Sequence, residues 1–243
     1  NQPHAVVIGS GLGGLAAAIR LGARGYRVSV YEKLEQPGGR ASVFRQDGFT
    51  FDAGPTIITA PFVLEELWSL AGATFSDDVT LKPLDPFYDL RFDDGTVMSC
   101  SADPARMREE VRRVAPGDVE GYERFMAESE AIYRIGFEQL GHVPFGSPLD
   151  MLKIAPDLLR LGAWRTVHQH VAARVKSPKI RMALSFHPLF IGGNPFKVTA
   201  IYSMIAHLER HYGVHFAMGG TGALVKAMAN LVERQGGRIV LDA

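Results

Sequence analysis

The 243-residue chain opens with an apolar, β-branched run, His4 to Gly9 (HAVVIG), that ends in glycines. An Ala/Leu-rich stretch from Leu12 to Arg24 then carries a helical pattern, and Arg27 to Glu32 (RVSVYE) returns to β-branched residues. Short apolar runs bounded by glycine read as strands, and the helical stretch between them as the crossover that parallel strands require. The opening therefore predicts one βαβ unit. Further on, the pattern predicts a helix over Pro61 to Gly72 and two strands within Tyr88 to Ser101 (YDLRFDDGTVMSCS) joined at Asp94-Gly95, a strong hairpin signal. A parallel sheet does not supply such a hairpin, so the chain is expected to have left its first domain by this point. Asp103 to Val175 is mainly helical, punctuated by Pro116-Gly117 and by Gly141 to Pro148. A helix over Thr199 to His211, a glycine loop at Met218 to Gly222 (MGGTG), a helix over Ala223 to Gln235 and a strand at Arg238 to Leu241 (RIVL) follow. The last three look like a return to the first domain.

Composition narrows the classes. Hydrophobic residues at 47% and charged residues at 21% match ordinary globular usage, so one large domain or two modest ones are expected. The 26 basic and 26 acidic side chains cancel, and nothing advertises a nucleic-acid partner. A single cysteine, Cys100, excludes an internal disulfide and any multi-cysteine metal site, and fits a reducing, cytoplasmic compartment. Asn1 to Ser10 lacks a basic segment ahead of its apolar stretch, so no signal peptide is expected. The apolar runs are broken by Gly, Pro or charge before the roughly 18 residues that a membrane span needs, so any membrane contact is expected from the surface.

Gly9, Gly11 and Gly14, with Gly13 between them, give G-x-G-x-x-G between a predicted strand and helix. Glycines there permit a tight turn and let the helix N-terminus approach a pyrophosphate. Glu32 ends the next strand, 23 residues after Gly9, where an acid accepts hydrogen bonds from both ribose hydroxyls and repels a 2′-phosphate. A glycine-rich structural turn with a solvent-facing Glu is the competing reading. Six residues beyond the acid come Gly38, Gly39 and Arg40, and then Phe51-Asp52-Ala53-Gly54-Pro55. Adjacent glycines ending in a cation can set backbone N–H groups and a guanidinium against a diphosphate. This second anchor suits tightly held FAD better than an exchanging nicotinamide.

Ile8 to Leu15 (IGSGLGGL), Tyr31 to Arg40 (YEKLEQPGGR), Phe49 to Pro55 (FTFDAGP) and Gly219 to Leu224 (GGTGAL) resemble the flavin amine oxidase superfamily. Within it, Gly48 to Pro61 (GFTFDAGPTIITAP), Asp118 to Phe125 (DVEGYERF), Phe186 to Phe196 (FHPLFIGGNPF) and His207 to Gly213 (HLERHYG) are similar to bacterial-type phytoene desaturases. The resemblance covers nearly the whole chain. It implies an α/β fold, a Rossmann-type FAD-binding domain built from residues 1–59 and 215–243, interrupted by an α+β substrate or lid domain over 60–214. By the resemblance, Gly9, Gly11, Gly14, Glu32, Gly39 and Arg40 hold the ADP half and diphosphate of FAD. Asp52, Gly54, Pro55 and Thr56, and the loop of Gly219 and Gly220, lie nearer the flavin ring. In the family a later glycine-rich segment completes that site; here the C-terminal part of the fold is missing, and the 243 residues alone are expected to hold FAD poorly.

The resemblance further implies desaturation of phytoene: hydride leaves an allylic carbon for the flavin, a neighbouring proton is lost, and repetition extends the conjugation towards neurosporene or lycopene. The substrate is a long apolar polyene, so shape must position it. Reoxidation needs a quinone or oxygen. Asp150, in the predicted substrate domain, is singled out as a catalytic base, against a competing role as a helix cap after Ser147-Pro148; His187 and Glu209 are weaker candidates. His207 and His211 stand at i, i+4, but HLERH misplaces the acid of H-E-x-x-H and no third ligand is in view, so no metal is expected. Leu149 to Lys176 sets Leu152, Ile154, Leu158, Leu159, Leu161, Trp164 and Val167 beside Lys153, Arg160, Arg165, Arg174 and Lys176. This fits a helix at an anionic membrane surface and equally an amphipathic core helix interrupted by Pro156 and Gly162. The expected location is thus cytoplasmic and peripherally membrane-associated. A later-step carotenoid desaturase, a carotenoid cis-trans isomerase and, from another class, a non-enzymatic prenyl-binding carrier like the GDP-dissociation inhibitors stand as alternatives. The Gly38-Gly39-Arg40 loop argues against the carrier.

Overall fold

The computed structural model describes residues 2–143, 146 and 148–243, without the side chains of 148–151. In chain order the elements begin β1 (His4–Ile8), α1 (Leu12–Ala23), β2 (Arg27–Tyr31), β3 (Val43–Gln46), β4 (Phe49–Asp52), α2 (Pro61–Leu70), α3 (Phe75–Asp78) and β5 (Leu81–Pro83). A second run holds β6 (Tyr88–Arg91), β7 (Val97–Cys100), α4 (Pro104–Val114), α5 (Val119–Tyr133), α6 (Pro148–Arg160), α7 (Val167–Ala172), α8 (Pro178–Ser185) and α9 (Met204–Tyr212). The chain closes with β8 (His215–Ala217), α10 (Thr221–Arg234) and β9 (Arg238–Val240). It divides into two compact units, residues 1–84 with 214–243, and residues 85–213.

In the first unit β1 and β2 pair in parallel, Val7 opposite Val30, and β9 adds on the far side of β2, again parallel, giving the order β1-β2-β9. The crossovers are helical, α1 between β1 and β2 and α10 ahead of β9. Leu15, Ile19, Val28, Val30, Leu224, Met228 and Leu231 form the core between sheet and helices, each at most 3% exposed. Residues 60–84, which the sequence reading placed in the inserted domain, pack with this unit instead. Trp68 on α2 is fully buried and meets Phe75 of α3 edge-on at 4.9 Å, and both join the core of α1 and α10.

Two pairings of the first unit were absent from the sequence reading. β3 and β4 form an antiparallel hairpin, Val43 opposite Asp52, turning at Asp47 and Gly48 with φ of 51° and 82°. Positive φ at both central residues belongs to the tight turn that Asp-Gly favours, so the signal stood in the sequence. β5 pairs with β8, joining residues 81–83 to 215–217 across a long sequence gap.

The second unit begins with the expected hairpin, β6 against β7, Tyr88 opposite Cys100. Its turn is three residues long, with Gly95 at φ 83°. Helices follow, their core holding Met107, Phe125, Ile132, Val171 and Ile180. The amphipathic stretch 149–176 is two helices, not one. Pro156 is accommodated inside α6, but Gly162, at φ 70°, ends the run, and Ala163 donates its N–H back to the Leu158 carbonyl at 2.9 Å. Thr166 then opens α7 with a capping box. No helix among the described residues is long and apolar enough to cross a membrane.

Candidate functional site

The site grows from the end of β1. Gly9 adopts φ 92° and donates its N–H to the Tyr31 carbonyl at 2.7 Å, turning the chain over the end of the sheet. Gly11 is the N-cap of α1 and offers its first turn no side-chain acceptor. Those first-turn N–H groups therefore lack an internal partner, the arrangement that receives a phosphate. Gly14 is required by packing: a β-carbon there would lie 2.0 Å from the Gly9 carbonyl oxygen. A β-carbon at Gly9 or Gly13 would meet nothing within 4 Å, so the outer face of the turn is open.

Glu32 follows β2 and is 5% exposed. Its Oε2 accepts the Ser10 backbone N–H and the Ser10 hydroxyl, each at 2.8 Å, and Oε1 accepts the Leu34 N–H at 3.0 Å. These donors, Ser10 first, hold the carboxyl below the usual carboxylate range. Three of roughly four acceptor positions are used, which leaves capacity for a hydroxyl donor. Ser10 holds the candidate ribose acceptor and was missed by the sequence reading, because nothing in the G-x-G-x-x-G pattern marks an x position as a hydrogen-bond partner of the distant acid.

The second glycine pair closes over the first. Gly38 and Gly39 both have positive φ, 124° and 56°; Gly38 bridges to Gly11 and donates to the Ser10 carbonyl at 2.9 Å. A β-carbon on Gly39 would stand 3.3 Å from Gly11 Cα. Arg40 follows in a short 3₁₀ turn, exposed and without an acidic partner among the described residues. Its carbonyl lies against Gly54, where a β-carbon would come within 2.0 Å of the oxygen. Asp52, at the end of β4, presses its carboxylate on Gly220, 3.1 Å from where a β-carbon would sit, and the Thr221 hydroxyl bonds the Pro55 carbonyl. Gly219 and Gly220 take φ of 86° and 80° ahead of α10. The structure thus brings Gly9, Gly11, Gly14, Glu32, Gly38, Gly39, Arg40, Asp52, Gly54, Pro55, Gly219 and Gly220 into one chain of close approaches within one unit, with Gly13 on the open face of the turn and Thr56 exposed next to Pro55.

Asp150 belongs to the other unit, in the first turn of α6 and so inside the helix; its side chain lies outside the described residues. The middle motifs resolve into packing. Asp118 accepts the N–H groups of Lys176 and Ser177 at 2.8 and 2.7 Å, and a β-carbon on Gly121 would lie 2.0 Å from the Arg174 carbonyl oxygen. His187 and Glu209 meet at 3.1 Å, both buried, and Glu209 also accepts the Tyr88 hydroxyl at 2.6 Å. That enclosure suits a buried polar node better than a base open to substrate. His207 and His211 stack on one another at 5.3 Å, with Tyr133 against His207 at 4.9 Å. Among the described residues no group of three or more His, Cys, Asp or Glu is placed to hold a metal.

Comparison with known proteins places this geometry. The family model described as flavin containing amine oxidoreductase matches residues 12–243. The chain is 52% identical to a neurosporene-forming phytoene desaturase of Cereibacter sphaeroides, over 98% of the chain and 46% of that protein. It is 48% identical to a lycopene-forming phytoene desaturase of Pantoea ananas, over 98% of the chain and 48% of that protein. The cyclohexylamine oxidase of Brevibacterium oxydans shares the fold, with a TM-score of 0.59 at 20% identity, covering 100% of this chain and 51% of that one. The chain belongs to the flavin containing amine oxidoreductase family, and its cofactor is FAD. It spans about half the length of the curated relatives it matches.

Proposed function

We propose that this chain forms the FAD-binding and part of the substrate-binding portion of a phytoene desaturase, acting in carotenoid biosynthesis. The observation that carries the reading is 52% identity along 98% of the chain to a protein of that activity, continuous through both units. The glycine cradle supplies its physical support. Glu32, already turned inwards by Ser10, has one acceptor position left and would take a ribose hydroxyl there. The first-turn N–H groups of α1 and the exposed guanidinium of Arg40 offset the diphosphate charge. When bound, FAD supplies the acceptor for an allylic hydride. Phytoene offers no hydrogen-bonding group, so the protein orients it by apolar shape alone, at about 25 cal/mol per Å² buried.

A polyene of this kind partitions into lipid, so the same proposal puts the protein at the cytoplasmic face of a membrane, with a quinone or oxygen as the final electron acceptor. Exposed Leu152, Leu159 and Trp164 in the second unit, beside Arg160 and Arg165, fit that surface. The test is reconstitution of the full-length protein with FAD and phytoene-loaded liposomes, following the visible spectrum of extracted pigment. New polyene bands establish desaturation. Unchanged phytoene with FAD retained removes the substrate assignment and leaves a later-step desaturase or an isomerase to be tried with coloured carotenoids.

A further inference from the structure

In the second unit, the end of α5, the end of α6 and α7 with the turn before it line a cavity of about 370 Å³, within the size range of ligand pockets. Three guanidinium side chains line it, Arg160, Arg165 and Arg174, against one carboxylate, Glu128. Arg174 is spent on Glu128: its Nε and Nη2 donate to Oε1 at 2.9 and 2.7 Å. Arg160 and Arg165 have no acidic partner among the described residues, and Arg165 lies over the Trp164 ring at 4.6 Å. The cavity therefore carries an uncompensated double positive charge.

His170, 4% exposed, also lines the cavity. Its Nε2 is buried and unpartnered; Glu128 Oε2 is 3.3 Å away but not aligned for a hydrogen bond. A buried ring nitrogen without a partner carries a cost that a ligand oxygen would relieve. Charge, cavity and orphaned nitrogen together call for an anion.

The rim says which kind. Leu159 and Trp164 line the cavity and are 65% and 67% exposed. Leu152, seven residues before Leu159 on the same helix face, is 69% exposed. Phe196 is exposed as well, and is held to the start of α7 by ring contact with His168 at 4.4 Å. A free inorganic ion has no use for such a rim, whereas a phosphate attached to acyl chains does, with Trp at the interface and Arg reaching the headgroup.

We propose that this cavity binds the phosphate of an anionic phospholipid headgroup, with Arg160 and Arg165 supplying the charge, His170 Nε2 the buried contact, and Leu159 and Trp164 entering the lipid beside it. The inference rests on the proposed membrane contact and gives it a specific address. It makes membrane binding selective for anionic lipid through a built site rather than through net charge, which is zero for the chain.

The test uses the FAD-loaded full-length protein and two readouts. The first is the part of the tryptophan emission that a Trp164→Phe variant loses, Trp164 being exposed, on titration with monomeric short-chain phosphatidylglycerol, short-chain phosphatidylcholine or inorganic phosphate. The second is flotation with vesicles of phosphatidylcholine, with and without phosphatidylglycerol. Saturable binding of short-chain phosphatidylglycerol alone is expected, weakened about tenfold in R160Q or R165Q by loss of one charge-assisted bond, with FAD content unchanged. Saturation by inorganic phosphate at equal affinity would overturn the lipid assignment in favour of an ion site. Flotation on anionic vesicles without short-chain binding, and unaltered in both variants, would overturn the headgroup site while the membrane reading stands. Short-chain binding without flotation would support the site and remove the membrane reading.

Discussion

Ser10 places two donors on one oxygen of Glu32: its backbone N–H and its hydroxyl each lie 2.8 Å from Oε2. The last loop residue before the Gly11 cap is thereby tied to the acid at the end of the neighbouring strand, so the glycine turn and the proposed ribose acceptor are held as one body. Replacing Glu32 by Gln leaves at least one of these buried donors, or the Leu34 N–H, facing another donor. A loss of about 2 kcal/mol in unfolding free energy is expected, with weaker FAD binding.

The same contacts set a pH dependence. The folded-state pKa of Glu32 is depressed, so its contribution to stability is complete above the ordinary glutamate value of about 4.3 and is lost as pH falls through the lower folded value. Urea midpoints measured from pH 6 downwards should therefore decline less steeply in E32Q than in the wild type. Parallel declines would show that Glu32 is not held as described.

Gly14 and Gly11 separate packing from ligand approach. A methyl at Gly14 meets the Gly9 carbonyl at 2.0 Å and must displace α1, so Gly14→Ala should cost about 1–3 kcal/mol or more and be seen in the thermal midpoint. Gly11 has φ −65°, and its nearest neighbour, the Gly38 carbonyl, would be 3.8 Å from an added β-carbon. Gly11→Ala should keep the wild-type midpoint yet bind FAD at least about tenfold more weakly, because the methyl would stand in the approach to the proposed diphosphate site. Unchanged FAD affinity in a folded G11A would remove the diphosphate from this turn.

Asp78 ties three helices. Its carboxylate accepts the Trp68 indole N–H at 2.6 Å and both Arg234 amino groups, one of them at 2.8 Å. Arg234, then Trp68, draw its pKa down to about 2. Asp78→Ala strands the buried indole donor and should cost about 2 kcal/mol, read as a lowered denaturant midpoint. This contribution is complete above the ordinary aspartate value of about 3.9 and disappears as pH falls from there towards 2.

In the second unit, burial pushes the Glu209 carboxyl up, and the bonds and charge of His187 with the Tyr88 hydroxyl outweigh it, leaving the group below its usual range. Tyr88→Phe removes one bond and should cost about 1–3 kcal/mol. Glu209→Ala should cost about 3–5 kcal/mol, since it strands His187 and Tyr88 in the interior. Calorimetry of the two variants orders the effects; equal losses would mean that the node is not shared.

The sequence announced the elements whose signal is local. Glycine turns, β-branched strands and the acid after β2 stand within the first 40 residues, and at Gly14 the close approach of the Gly9 carbonyl excludes any side chain. Pairings over long separations were hidden. β5 with β8 depends on residues more than a hundred positions apart, and Asp52 meets Gly220 through tertiary packing that no local pattern encodes. The β3–β4 turn at Asp47-Gly48 is legible in the sequence, since Asp-Gly between aromatic and β-branched residues favours positive φ at both central positions. Residues 60–84 went to the wrong unit because the apolar face of α2 shows that it packs, not on what.

The central claim is met most directly by mixing the full-length, FAD-loaded protein with phytoene in liposomes under anaerobic conditions and following the flavin band. The account predicts bleaching of the band by phytoene alone, with conjugated pigment formed in proportion and colour restored to the flavin when oxygen or a quinone is admitted. A band that stays unchanged while FAD remains bound would contradict desaturation of phytoene by this protein.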